Sequence, residues 1–226
     1  MDKNSSHEAG PAAAAAGLLK TFAASILALF VGLAWLLIAT ERGSAFTTET
    51  VRRASVESTP QQVPDLNVVG ADGAHTTLRS MLAPGGRIWI VDFVYTRCQT
   101  VCSALGSVYQ QLQQQIIDGV LQDRIGLLSI SFDPDRDGVA ALRDHAVRMR
   151  MDPGVWQIVT LTAAGDRHRL LDTFGIMVVP APLGEFEHNA ALHIVDDHGR
   201  LVRIIDYSTP ARALELAQAL ASVPAR

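Results

Sequence analysis

Cys98 and Cys102 are the only two cysteines of the 226-residue chain, set four apart in Tyr95-Thr96-Arg97-Cys98-Gln99-Thr100-Val101-Cys102. Two thiols at this spacing can close a short disulfide, exchange with other thiols, or grip one soft metal ion such as Cu(I). A purely structural clip is the alternative. Closing so small a loop removes only about 2 kcal/mol of unfolded-state entropy, which a domain of this size does not need. A lone dithiol fits an exported protein with one thiol site better than a multi-disulfide scaffold.

The elements that must hold the pair are legible around it. Arg87 to Val94 is an apolar run that predicts a strand buried on both faces, and the cysteines follow directly. From Cys102 the pattern turns helical, with Leu105, Val108, Tyr109, Leu112 and Ile116 on one face and glutamines opposite. Residues 126–131 read as a second buried strand, and 155–161 as a third. Between them Asp137 is placed to cap a helix bearing Val139, Leu142, Ala146 and Met149. A short helix is expected over 167–174, then two strands, 190–195 and 201–206, joined by Asp196-Asp197-His198-Gly199. Thr209-Pro210 opens a last helix through Val223. Upstream, 65–69 and 76–78 flank Gly70-Ala71-Asp72-Gly73 as a hairpin. The fold class is therefore α/β, a thioredoxin-like mixed sheet flanked by helices. The cysteines lie between its first central strand and the following helix, whose positive N-terminal end favours thiolate.

Composition sets the bounds. The chain is 48% hydrophobic and 19% charged with a net charge of -4, which argues against nucleic acid as a partner. Residues 21–40 carry no charge, and 20 helical residues match the roughly 30 Å hydrocarbon core. A cleavable signal peptide competes, since Gly43-Ser44-Ala45 offers a small-residue site, but the stretch is longer than a signal core and favours an uncleaved anchor. Charges do not orient it: Lys3 and Lys20 precede it, and Arg42, Arg52 and Arg53 follow. The expected organisation is a cytoplasmic tail at 1–20, a transmembrane anchor at 21–40, a linker at 41–60 (the Thr, Ser, Arg and Gln content from 42 to 64 reading as a tether) and the folded domain at 61–226.

In this order and on this frame, three segments resemble the Sco/SenC family of copper-binding assembly proteins. They are the CxxxC of 95–102, then Ser131-Phe132-Asp133-Pro134-Asp135-Arg136-Asp137, then His188-Asn189-Ala190-Ala191-Leu192-His193-Ile194-Val195-Asp196 with Gly199 in the turn beyond. The resemblance covers nearly all of 61–223. It departs at Gln99, Thr100 and Ser103, where the family usually has proline after the first cysteine, and often an acidic residue and a proline after the second. The resemblance implies that Cys98, Cys102 and His188 ligate copper, a set suited to Cu(I) and able to hold Cu(II) with a further ligand. Zinc could occupy the same three. Asp133 could orient a ligand or serve the turn into the next helix. It further implies a membrane-anchored metallochaperone serving the dinuclear centre of cytochrome c oxidase subunit II or another cuproprotein, supplied by a copper donor protein. The expected location is the bacterial inner membrane with the C-terminal domain in the periplasm, ahead of the mitochondrial inner membrane.

Two other functions compete. One is a thiol-disulfide oxidoreductase that keeps a cuproprotein's cysteines reduced, with Cys98 and Cys102 as the redox pair. The other is a binding module whose docking depends on copper. Among the remaining histidines, His193 falls inside a strand and is expected to pack or hydrogen bond. His145 and His168 are expected to be exposed, His198 to sit in a turn, and Asp135 and Arg136 to form a loop ion pair.

Overall fold

The computed structural model describes the backbone of residues 11–39, 48–82, 86–98 and 101–222, and their side chains except at 11–19, 36–39, 48, 101–104 and 183. Residues 1–51 and 52–226 form separate compact units. In the first, α1 (Pro11–Ala39) is a continuous 29-residue helix. Its apolar side chains are exposed, Phe22, Leu29 and Trp35 among them. Among the described residues no helix is long and apolar enough to cross a membrane; the side chains of α1 are described over 20–35 only. Of the expected tail at 1–20, residues 1–10 lie outside the described residues, as do those from Thr40 to 47, while 11–20 are the start of α1.

Where the composition predicts an open tether, residues 48–58 form helix α2 (Thr48–Ser58). The reason lies in the partners its residues find. Val56 is 1% exposed within the core, Glu57 pairs with Arg203 at 3.0 Å, and Arg53 pairs with Asp206 at 3.6 Å. Arg52 donates to the Phe174 carbonyl.

The second unit is built on an eight-stranded sheet. In chain order its strands are β1 (Gln61–Gln62), β2 (Asn67–Gly70), β3 (His75–Thr77), β4 (Ile88–Val94), β5 (Ile125–Ser131), β6 (Trp156–Leu161), β9 (Ala191–Val195) and β10 (Arg200–Asp206). They lie in the order β1-β10-β9-β4-β5-β6-β2-β3. β4, β5 and β6 are parallel, and every other neighbour pair is antiparallel. β7 (Val178–Pro180) and β8 (Phe186–His188) form a separate hairpin. The helices are α3 (Leu78–Leu82), α4 (Val101–Asp118), α5 (Val139–Met149), α6 (Arg167–Phe174) and α7 (Pro210–Ala221).

Every residue of β4 and β5 is buried, as central parallel strands with both faces covered must be. The two-residue period of β4 divides the core. Ile88 and Ile90 face Tyr109, Leu112 and Ile116 of α4 and Trp156. Trp89, Val91 and Phe93 face Phe132, Leu170 and Phe174. Expected boundaries hold closely at β4, β6 and α6. Gly199, at φ 71°, makes the β9–β10 turn that an L side chain would strain.

Three expectations are corrected. Asp137 does not cap α5; Gly138 occupies that position without a side-chain cap, because the Asp137 carboxylate is turned inward to the cysteine turn. His145 is buried, not exposed: it lies on the α5 face that packs beside that turn. Asp135 and Arg136 do not pair with each other. Asp135 bonds Arg167 at 2.7 Å and Arg136 bonds Asp133 at 3.4 Å.

Candidate metal centre

The cysteine turn begins where β4 ends, and its backbone is fixed from outside. Thr96 donates its N–H to Asp137 Oδ2 at 2.9 Å and its hydroxyl to Oδ1 at 2.6 Å. Arg148 Nη2 donates to the Thr96 carbonyl at 3.1 Å. The Cys98 N–H donates to the Tyr95 carbonyl at 3.2 Å. Asp137, 1% exposed, also accepts from Ser131 Oγ at 2.6 Å. A buried carboxylate without hydrogen bonds would be costly; here each donor belongs to a segment that frames the turn.

Cys98 is half-buried and, like Phe186, packs on the core cluster that contains Tyr95 and Phe132. Cys102 falls in the first turn of α4, where unsatisfied backbone N–H groups and the helix dipole favour negative charge. Its side chain lies outside the described residues.

His188 closes β8. Its Nδ1 lies 3.2 Å from the Asn189 carbonyl, which places the ring proton on Nδ1 and leaves the lone pair on Nε2. That Nε2 is buried and has no hydrogen-bond partner among the described residues. The ring stands edge-on to Phe132 at 5.1 Å and to Tyr95 at 6.4 Å. Burial pushes its pKa below the ordinary value, while the Asn189 carbonyl and the charge on the Cys98 sulfur pull the other way. His188 is thus a neutral imidazole near Cys98, with its basic nitrogen unspent.

This arrangement suits a soft-to-borderline metal. A buried lone pair without a donor is costly, and a metal ion held with thiolate would satisfy it. Among the described residues no three histidine, cysteine or acidic side chains gather around one point; of the three expected ligands, the side chains of Cys98 and His188 are described and that of Cys102 is not.

Asp133 is 3% exposed. Its N–H donates to Ser131 Oγ at 3.2 Å, and its carbonyl receives the N–H groups of Arg136 and Asp137. Its carboxylate meets Arg136, and burial raises its pKa. These contacts are those of a turn into α5. His193 is buried as expected, with Nδ1 3.2 Å from the Val91 carbonyl and its ring edge-on to Phe93 and Phe174.

Two neighbours of the site escape sequence reading. The Tyr95 hydroxyl donates to Glu185 Oε2 at 2.5 Å and receives the Phe186 N–H at 3.3 Å. Burial, then Glu185, raises its pKa, with the Cys98 sulfur adding to the effect. Tyr95 adjoins Cys98 in sequence, which was a signal; Glu185, 90 residues away, gave none.

A family model described as SCO1/SenC matches residues 59–223. The SCO1 protein homolog of Bacillus subtilis (strain 168) is 25% identical over 143 residues, 61% of this chain and 68% of that protein. A Frankia alni protein named ribosomal RNA small subunit methyltransferase H is 31% identical over 169 residues. The match takes in 72% of this chain and 47% of that protein, so the chain spans about half its length. Among solved structures, BsSco, described as a member of the Sco family of cytochrome c oxidase assembly proteins with a disulfide switch, superposes with a TM-score of 0.63 at 19% identity. The superposition covers 74% of this chain and 96% of that one. Yeast Sco1 with copper bound gives 0.58 at 18% identity over 74% and 92%. At these identities the structural likeness carries the fold.

Proposed function

The chain belongs to the SCO1/SenC family, and on that premise we propose that it is a membrane-anchored copper metallochaperone. Cys98, Cys102 and His188 hold the ion as cargo, and the recipient is the dinuclear copper centre of cytochrome c oxidase subunit II or a similar cuproprotein. One observation carries the reading: the buried Nε2 of His188 lacks a hydrogen-bond partner among the described residues, and its ring is flanked by Tyr95 and Phe132 of the core cluster against which Cys98 packs. Copper is the natural fourth member of a dithiolate–imidazole set, and related proteins, yeast Sco1 among them, have been solved with it bound. The 20 uncharged residues at 21–40 serve as the anchor in this reading, with the domain on the periplasmic side. Tethering raises the effective concentration toward a recipient in the same membrane.

The site works by exchange. Cys98 and Cys102 must both be reduced, since oxidation to a disulfide removes two of the three donors. The neutral imidazole enters without losing a proton. Release follows when a recipient's thiolates displace these ligands one at a time.

The reading is tested by titrating Cu(I) and Cu(II) into the reduced full chain in detergent, beside Cys98→Ala, Cys102→Ala and His188→Ala. The expected result is weakened binding in all three variants. Affinity unchanged in the Cys98 and His188 variants would eliminate the site.

A second reading, thiol-disulfide oxidoreductase, is favoured by Cys102 lying in the first turn of α4. That position stabilises thiolate whether or not metal binds. It predicts that His188→Ala retains biological function while either cysteine variant loses it.

A further inference from the structure

His188 is held in place by a hairpin pinned at both ends, and the pins are side chains to which nothing so far gives a role. The hairpin is small. β7 and β8 pair only Val178 with His188, Val179 with Glu187 and Pro180 with Phe186. So short a ribbon is not stable by itself, and it stands outside the eight-stranded sheet.

The base is pinned by Asn189. Its Nδ2 donates to the Gly175 carbonyl at 3.0 Å and its Oδ1 receives the Met177 N–H at 2.7 Å. One side chain thus bridges the incoming and outgoing strands.

The tip is pinned by Glu185 and Arg136. Glu185 accepts the Tyr95 hydroxyl at 2.5 Å. Arg136, on the loop between β5 and α5, donates to the Gly184 carbonyl at 3.1 Å and lies over the Phe186 ring at 5.8 Å. Gly184 has φ 77°, a backbone state that glycine takes without strain and that turns its carbonyl out for Arg136. Phe186 then packs edge-on against Tyr95 and Phe132, the two rings that also flank His188.

We infer that Glu185 and Arg136 are positioning residues for His188: they latch the tip of the β7–β8 hairpin onto Tyr95 and the β5–α5 loop, and so hold the imidazole beside Cys98. The inference rests on the copper-ligand reading of His188. It adds that the lifetime of the bound ion is set by contacts that never touch it. Opening the latch swings one ligand away, which leaves the cysteine side as a two-point holder from which thiolates of a recipient can take the ion.

The test uses the full chain in detergent with Glu185→Ala, Glu185→Gln, Arg136→Gln and His188→Ala. In the metal-free protein, amide hydrogen exchange over 178–188 is expected to quicken about 10-fold in Glu185→Ala and Arg136→Gln. Exchange in β4 and β5 should stay unchanged, which shows that the fold persists. After loading with Cu(II), release to a thiol chelator is expected to speed up by about the same factor in those two variants. Glu185→Gln, which keeps an acceptor for Tyr95, should restore both toward the parent. If exchange and release in Glu185→Ala and Arg136→Gln match the parent while His188→Ala sheds copper quickly, the latch is overturned and the copper reading stands. If His188→Ala holds copper as the parent does, the copper reading falls, and with it any role of the latch in metal retention.

Discussion

Thr96 gives both of its hydrogens to one carboxylate, that of Asp137, at 2.9 and 2.6 Å. Asp137 thereby ties the cysteine turn to the loop after β5, and hydrogen bonds from Thr96 and Ser131 offset the cost of its burial. Asp137→Ala leaves these donors and Ser131 Oγ without their acceptor, and the expected loss is about 2–4 kcal/mol of folding stability. Thr96→Val removes one donor and should cost about 1–2 kcal/mol. In urea unfolding the double variant should cost clearly less than the two together, because the pair is one interaction.

His188 and His193 sit five residues apart and should respond in opposite ways. His193 is buried against Phe93 and Phe174 and bonded to the Val91 carbonyl. His193→Ala is expected to cost about 2–4 kcal/mol of stability while leaving Cu(II) affinity near that of the parent. His188→Ala is expected to lower copper affinity at least 10-fold with a smaller stability change. Equilibrium unfolding and copper titration on the same samples separate the two.

Asp92 and His145 make opposite demands on pH. Burial pushes the Asp92 carboxyl up to about 7 from its ordinary 3.8. The folded state keeps a proton that the unfolded chain gives up, so this contribution is full below pH 3.8 and is lost as pH rises through 7. Burial, then Arg148, pushes His145 down to about 4 from 6.5. The unfolded chain takes up the proton first, so stability is lost as pH falls from 6.5 to 4. Relative to the parent, Asp92→Asn should gain stability as pH rises from 4 to 7, and His145→Gln should gain as pH falls from 6.5 to 4. Each change is expected to reach a few kcal/mol, at about 1.4 kcal/mol per unit of pKa displacement. Urea unfolding across pH 4–8 reads both.

Gly126 faces Trp89 across the parallel β4–β5 pair. A Cβ at Gly126 would lie 2.6 Å from the indole ring, a ring over which Arg87 also lies, 5.0 Å from the centroid. Gly126→Ala is expected to cost about 1–3 kcal/mol through overpacking. In a Trp89→Leu background the same change should cost much less, as thermal unfolding of the four proteins would show.

The central sheet was legible because burial on both faces leaves an unmistakable mark: Ile88 to Val94 and Ile125 to Ser131 are nearly pure apolar runs. The α4 face read correctly for the same reason, since Leu105, Tyr109, Leu112 and Ile116 are all fully buried. Asp137 misled because an aspartate before a helix usually caps it, and only the neighbouring turn shows why its carboxylate points inward. His145 misled because it lies off the apolar stripe of Val139, Leu142, Ala146 and Met149, and the α5 face that packs beside Thr96 is polar. The β7–β8 hairpin left no trace, because three-residue strands are too short for a period to show. The family pattern pointed to His188; the side chains around it, Glu185 and Asn189, have meaning only once the chain is folded.

The sheet ends at both margins in very short strands, two residues of β1 on one side and three of β3 on the other. A neighbouring molecule seeking to add its own strand would find almost no exposed ladder to grip. Self-association through these two margins should therefore stay weak even at high local density.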